Sequence, residues 1–307
     1  MKSISKQKLW TILAASAATM WGISGLFGEA LFNFSASITP LWLTQTRMIV
    51  SGIVLLIMAQ ALGQKPFAIL KNKRDLSVIV AYGLLGLLPV QLFYFIVIQK
   101  ANASVATILQ FMGPFFVLAY LGLTHKQVIR RLDIIAAIGA FIGVFLLATH
   151  GKFNHLAITP IALFFGFLSA VGEASYTLIP VNIVKRVSSL VLTGWGMLVA
   201  GIGLIIIHPQ FGNIPHKPQV WLLTSAVIII GTIIPFQMMA NALRYVKPAI
   251  VSLLDAFEPM AATIGGVLFF HLSMSLMDWL GTVLILVAVL ALNISPKNKI
   301  KAKKQED

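Results

Sequence analysis

The chain predicts an all-α integral membrane protein: ten transmembrane helices arranged as two inverted five-helix repeats. Three observations lead there: the hydropathy, the placement of basic residues and an internal repeat. Of 307 residues, 58% are hydrophobic and only 10% charged, with a mean hydropathy of +0.92. A soluble domain carries about 25% charged residues. This chain cannot cover a water-exposed surface, so its solvent is lipid. The sequence has no cysteine, which excludes disulfides and thiolate metal sites.

A hydrocarbon core about 30 Å thick needs about 20 apolar residues per helix. Ten stretches meet that requirement. The first, roughly 9–31, follows a basic start and contains small residues at Ala14–Ala18, as a signal peptide would. Its apolar run continues to Phe27, longer than a 7–15-residue signal core, so it is expected to stay as a span. The second, roughly 40–62, holds Arg47, the one basic residue inside a span. The third, roughly 76–99, contains Pro89 and Gln91. The short junction Ala101–Ala103 parts it from the fourth, roughly 102–123, with Gln110 and Pro114. The fifth, roughly 132–150, opens on Asp133. The sixth, roughly 158–181, contains Glu173. The seventh, roughly 189–208, holds no charge. The eighth, roughly 219–243, contains Pro235 and Gln237. The ninth, roughly 248–270, contains Asp255, Glu258 and Pro259. The tenth, roughly 276–295, opens on Asp278.

The basic residues fix an expected orientation. With both termini cytoplasmic, 19 of the 23 Lys and Arg residues fall in cytoplasmic segments. Only Lys100, Lys152 and Lys217 fall outside, a strong positive-inside bias. The lysine-rich tail from Lys297 reads as a solvated anchor that also attracts anionic lipid. Because the net charge of +14 is spread between apolar segments, it does not suggest nucleic acid as a partner.

The repeat is visible by eye. Residues 21–33 read WGISGLFGEALFN and residues 165–177 read FGFLSAVGEASYT, so Glu29 falls on Glu173. Pro89 and Gln91 fall on Pro235 and Gln237. The run 104–114, SVATILQFMGP, falls on 249–259, AIVSLLDAFEP, which places Thr107 on Ser252, Gln110 on Asp255 and Pro114 on Pro259; Asp133 falls on Asp278. The second and seventh spans align less convincingly, through Thr44 and Gly52 against Thr193 and Gly201. Two halves, 1–150 and 151–307, are expected. Five spans per half is an odd number, so the copies cross the membrane in opposite senses. Inverted repeats of this kind place a substrate site near the midplane between the halves.

At this point the chain resembles the drug/metabolite transporter superfamily and, within it, the EamA-type ten-helix transporters. The resemblance rests on Trp21–Gly22, Arg47, the prolines of the fourth and ninth spans, and GTVLIL at Gly281–Leu286, and it covers essentially the whole chain. It implies a transporter and leaves the solute open. Family members often have a glutamate at the outgoing end of the fourth and ninth helices. Here Gln127 and Leu272 stand in those places, with His125 and His271 nearby, so no role is built on that glutamate.

The candidate site is read from polar residues in apolar surroundings, where ionisable groups are costly and usually functional. Asp133 and Asp278 open helices and complement the helix dipole. Glu29 and Glu173 have small flanking residues; each serves either a pathway or a cross-helix hydrogen bond. Asp255 and Glu258 lie one turn apart, beside Pro259, which removes a donor and crowds the Asp255 carbonyl. The expected consequence is an opened helix with free backbone groups beside two carboxyls. Those carboxyls resist double ionisation and share a proton that a cationic solute displaces; the alternative is a static ion pair of Asp255 with Arg47. Gln91, Gln237 and Gln110 either bond neighbouring helices or line the cavity. The helix-break residues are Pro89, Pro114, Pro235 and Pro259. Asn102 and Asn241 read as caps, and the six histidines as solvated loop residues without metal spacing.

No phosphate-binding loop and no nucleophile elbow appears, so neither an enzyme nor a cofactor is expected. The expected function is a secondary transporter in the cell membrane, either proton-coupled or facilitative, moving an amine, amino acid or related polar metabolite outward by alternating access. Its partners are that solute, membrane lipid and, as an open option, a second copy of the chain. The rivals are an intramembrane lipid-modifying enzyme and a non-transporting sensor or assembly subunit.

Overall fold

The computed structural model describes residues 6–125, 129–152, 157–184, 186–210, 212, 214–242, 245–246 and 254–294. Its described helices follow the ten expected spans. Helices α1 (Lys6–Phe34), α2 (Pro40–Ala61), α3 (Lys73–Lys100), α4 (Ala103–Leu123) and α5 (Arg131–Thr149) form the first half. The second half contains α6 (Pro160–Leu178, extended by a 3-10 turn Ile179–Asn182), α7 (Ser189–Ile207), α8 (Pro218–Ala242), α9 (Phe257–Phe270) and α10 (Leu276–Ile294).

Local chemistry starts most of these helices. Thr39, Asn72, Asn102, Thr159 and Ser188 each accept a backbone N–H from the first turn that follows, satisfying donors that hydrocarbon would leave unpaired. Pro40 and Pro160 occupy first-turn positions, where the missing N–H costs nothing. Asp133 closes a capping box with Arg130. The lipid face is apolar, as Leu222 and Phe269 show at 71% and 74% exposure.

Prolines interrupt four helices, in matching pairs. In α3 a π-helical stretch, Tyr82–Leu87, ends just before Pro89; in α8 another, Ile229–Ile233, ends just before Pro235. A proline takes away one intrahelical donor, and a wider turn absorbs the mismatch. Helix α4 breaks at Phe111–Met112, ahead of Pro114, and α9 begins after a turn at Asp255–Ala256, ahead of Pro259. Asp255 and Glu258 therefore do not share one continuous helix face. Nor is the Asp255 carbonyl left free, because the Glu258 N–H donates to it at 3.0 Å. The chain tightens locally and pairs the group that Pro259 cannot.

Packing joins the halves. The broadest helix contacts are α5 on α10 and α2 on α7, each made of repeat mates. Helix α1 packs on α9 and α8, and α6 packs on α3 and α4, the same arrangement seen from each copy. The weak register of the second and seventh spans also acquires a physical basis. A Cβ on Gly52 would meet Leu198 at 2.7 Å, and one on Gly201 would meet Ile49 at 2.8 Å. At the offset that places Gly52 on Gly201, Ile49 falls on Leu198, so the two contacts are one contact repeated. Small residues allow such close approach where lipid supplies no hydrophobic drive.

The connections sort by end. At one end Gln45 brackets the backbone of Gln210, and Lys100, Asn102, His150, Thr159 and Asp278 line a common pocket of about 270 Å³. At the other, Ser188 donates to Gln64, Trp195 to the Pro66 carbonyl, and Arg186 pairs with Asp75.

Candidate functional site

The repeat would make both halves alike at the centre. The structure shows where they part, and the sequence explains each difference. Glu29, near the end of α1, accepts the Ala103 N–H at 2.8 Å and so holds the start of α4. The residue that matches Ala103 is Pro248, and a proline has no N–H to give. Its partner Glu173 packs instead against Gly113, where an added Cβ would meet the glutamate Cγ at 2.7 Å. No hydrogen bond to the Glu173 carboxyl is made among the described residues.

The second difference lies one level deeper. Gln110 accepts a hydrogen bond from Ser169 at 2.9 Å, and Ser169 also reaches the Val90 carbonyl. Repeat-related positions are Asp255 for Gln110 and Gly25 for Ser169. Glycine offers no hydroxyl, and the Asp255 Oδ1, shielded from solvent, finds no partner among the described residues. The Tyr94 hydroxyl lies beside Gly25 and is likewise unpartnered, as is the Gln237 amide nitrogen. Unpaired polar atoms at such depth are costly.

Glu173, Asp255 and Glu258 come within coulombic reach of one another, and Arg47 and Tyr94 within reach of Glu258. Protein encloses the three acids deeply, yet each keeps some open surface. An aromatic chain runs alongside: Trp21 against Phe236 at 5.3 Å, Phe236 against Tyr176 at 6.0 Å, and Tyr176 against Tyr82 at 5.7 Å between ring centroids.

Arg47 is not the ion-pair partner of Asp255. It is 4% exposed, and its Nε donates to Thr232 Oγ1 at 2.5 Å and its Nη2 to the Gly231 carbonyl at 2.6 Å. The alternative of a static Arg47–Asp255 ion pair is not what forms: the guanidinium caps the backbone that the α8 π-turn releases. Gln91 is half-buried, with no hydrogen bond among the described residues. Asn241 donates back to the Gln237 carbonyl, one turn earlier in α8. Ser252 and Gln127 lie outside the described residues. His150 departs from the expectation of a merely solvated loop residue, because its Nδ1 contacts Asp278 Oδ1 at 2.5 Å. Sequence reasoning missed Tyr94, Tyr176 and Phe236, since aromatic residues in an apolar span carry no signal until their neighbours are known.

A groove of about 700 Å³ lies between α1 and α9, lined by apolar residues such as Ile23, Phe27, Ile264 and Leu268. No charged residue lines it, so it is not the site of the acid chemistry.

Two five-helix halves around an acid-lined centre define a multi-pass membrane transporter. The chain belongs to the EamA-like transporter family, whose pattern it matches over residues 8–149 and 160–294. It is 31% identical to the uncharacterized inner membrane transporter YicL of Salmonella typhimurium, over 93% of this chain and 95% of that one. It is 25% identical to Protein PecM of Dickeya dadantii, over 73% and 78% of the two chains. A solved crystal structure superposes with a TM-score of 0.62 over 94% of this chain and 97% of its own, at 17% identity, a likeness of fold alone.

Proposed function

We propose that the protein exchanges a small organic cation, such as an amine or a cationic amino-acid derivative, for protons across the cell membrane. One observation supports this most: three carboxyl groups meet at the centre, while the one cation near them among the described residues, Arg47, is committed to α8 through two hydrogen bonds. A zwitterion would need a free positive group for its carboxylate, so the arrangement favours a cation. A proton held among the acids is released when the cation binds. An inward proton gradient then drives the cation outward.

A thermal-shift screen of the purified protein against amines, amino acids and nucleobases tests the substrate class. Amines are expected to raise the melting temperature, since a ligand at 100 times its Kd stabilises by about 2.7 kcal/mol. Stabilisation by neutral nucleobases alone would contradict the reading.

The orientation has its own test. With no native cysteine, a single cysteine at the exposed Ser37 is expected to react with an impermeant thiol reagent from outside, and one at the exposed Lys71 only from inside. The opposite pattern would reverse the topology.

A further inference from the structure

Both third helices of the repeat contain a π-turn, but the two turns are held differently. In α3 the stretch Tyr82–Leu87 is packed from within the fold. Gly196 on α7 lacks a Cβ, which would meet the Tyr82 ring at 2.7 Å, and the Tyr82 and Tyr176 rings stack. Gly196 is also the residue that falls on Arg47 at the register of the second and seventh spans. In α8 the corresponding stretch, Ile229–Ile233, is held by Arg47 itself. Thr232 Oγ1 completes the clamp by donating to the Val227 carbonyl, five residues back, at 3.2 Å. One turn is filled by a neutral ring; the other is capped by a charge with three donors to share.

That charge has a second place to go. Glu258 on α9 and Tyr94 on α3 are the titratable groups within its coulombic reach, and the Phe95 ring lies 5.4 Å from its centre. Helices α7 and α8, which also pack on α2, contain no charged residue. Around Glu258 stand Glu173 and Asp255. The geometry points to Arg47 as a positioning residue that couples the charge of the acid cluster to the shape of α8. Arg47 caps the π-turn while the acids are neutral or hold a cation, and it transfers to Glu258 when they stand ionised and empty. An added residue in a turn rotates everything beyond it by about 100°. Releasing the π-turn therefore re-aims Phe236, which packs on Trp21 and Tyr176, and Gln237, whose buried amide nitrogen has no partner among the described residues. The cluster thus reports its occupancy to one half of the protein only, the half whose bulge is capped by a movable charge.

The inference rests on the acid cluster of the proposed function but not on the identity of the solute, so its test uses protons alone. Hydrogen–deuterium exchange of the α8 segment 227–237 is measured in nanodiscs, without solute, from about pH 6 to about pH 9 after correction for intrinsic exchange. In the wild type, protection of this segment is expected to fall about tenfold across that range, while the α3 segment 80–89 stays unchanged. Glu258→Gln, which keeps the shape and removes the charge, is expected to hold protection constant. Thr232→Val is expected to lower it at every pH. Equal protection of 227–237 at both ends of the range in the wild type would overturn the proposal, as would an undiminished fall in Glu258→Gln. Either result leaves the substrate class to be decided by the ligand screen.

Discussion

Glu173→Gln is expected to reduce transport by about tenfold or more, whereas Asp278→Asn is expected to change it by less than about threefold. The two acids differ in what holds them. Asp278 sits at the start of α10, accepts the Ser275 N–H at 2.8 Å and contacts His150, so it serves a helix end at the membrane surface. Glu173 has no protein donor among the described residues and faces Asp255 and Glu258. Uptake of a stabilising amine into inverted vesicles, at matched protein levels, checks the comparison. Equal losses in both variants would remove the special role assigned to Glu173.

Asp255→Asn is expected to abolish solute-driven proton movement in proteoliposomes while leaving solute exchange within about threefold of the wild type. The first half supplies the natural comparison. Gln110 occupies the matching place and is satisfied by Ser169, so an amide fits this backbone. Glu258→Gln is expected to lose coupling as well, because the proton is held by the cluster rather than by either group alone. If both variants move protons with solute as the wild type does, the pair is structural and Glu173 is the remaining carrier.

How much of this was legible in the sequence follows from which residues act locally. The ten helices were legible because lipid demands long apolar runs, and the caps at Asn102 and Asp133 because they act within one turn. The repeat located Pro89, Pro235 and the breaks beside Pro114 and Pro259 before any coordinate. The different fates of Glu29 and Glu173 were not visible. They depend on which carboxyl finds a backbone donor, as Glu29 does at Ala103, a residue far away in the chain. For Arg47, a static pair with Asp255 was the alternative that charge attraction alone suggested. The π-turn of α8 offered it a carbonyl and a hydroxyl instead, and such a bulge has no sequence signature beyond a nearby proline. The aromatic chain through Trp21, Phe236, Tyr176 and Tyr82 joins four helices and exists only once they pack.

The central claim is that a cationic solute and a proton compete for the same cluster of carboxyl groups. Proton release on binding tests it most directly: an amine that stabilises the purified protein is added to weakly buffered detergent solution, and the pH change is recorded. The account predicts about one proton released per amine bound in the wild type, and none in the Asp255→Asn, Glu258→Gln double variant. Amine binding to the wild type with no proton released, at any pH between about 6 and about 8, would contradict it.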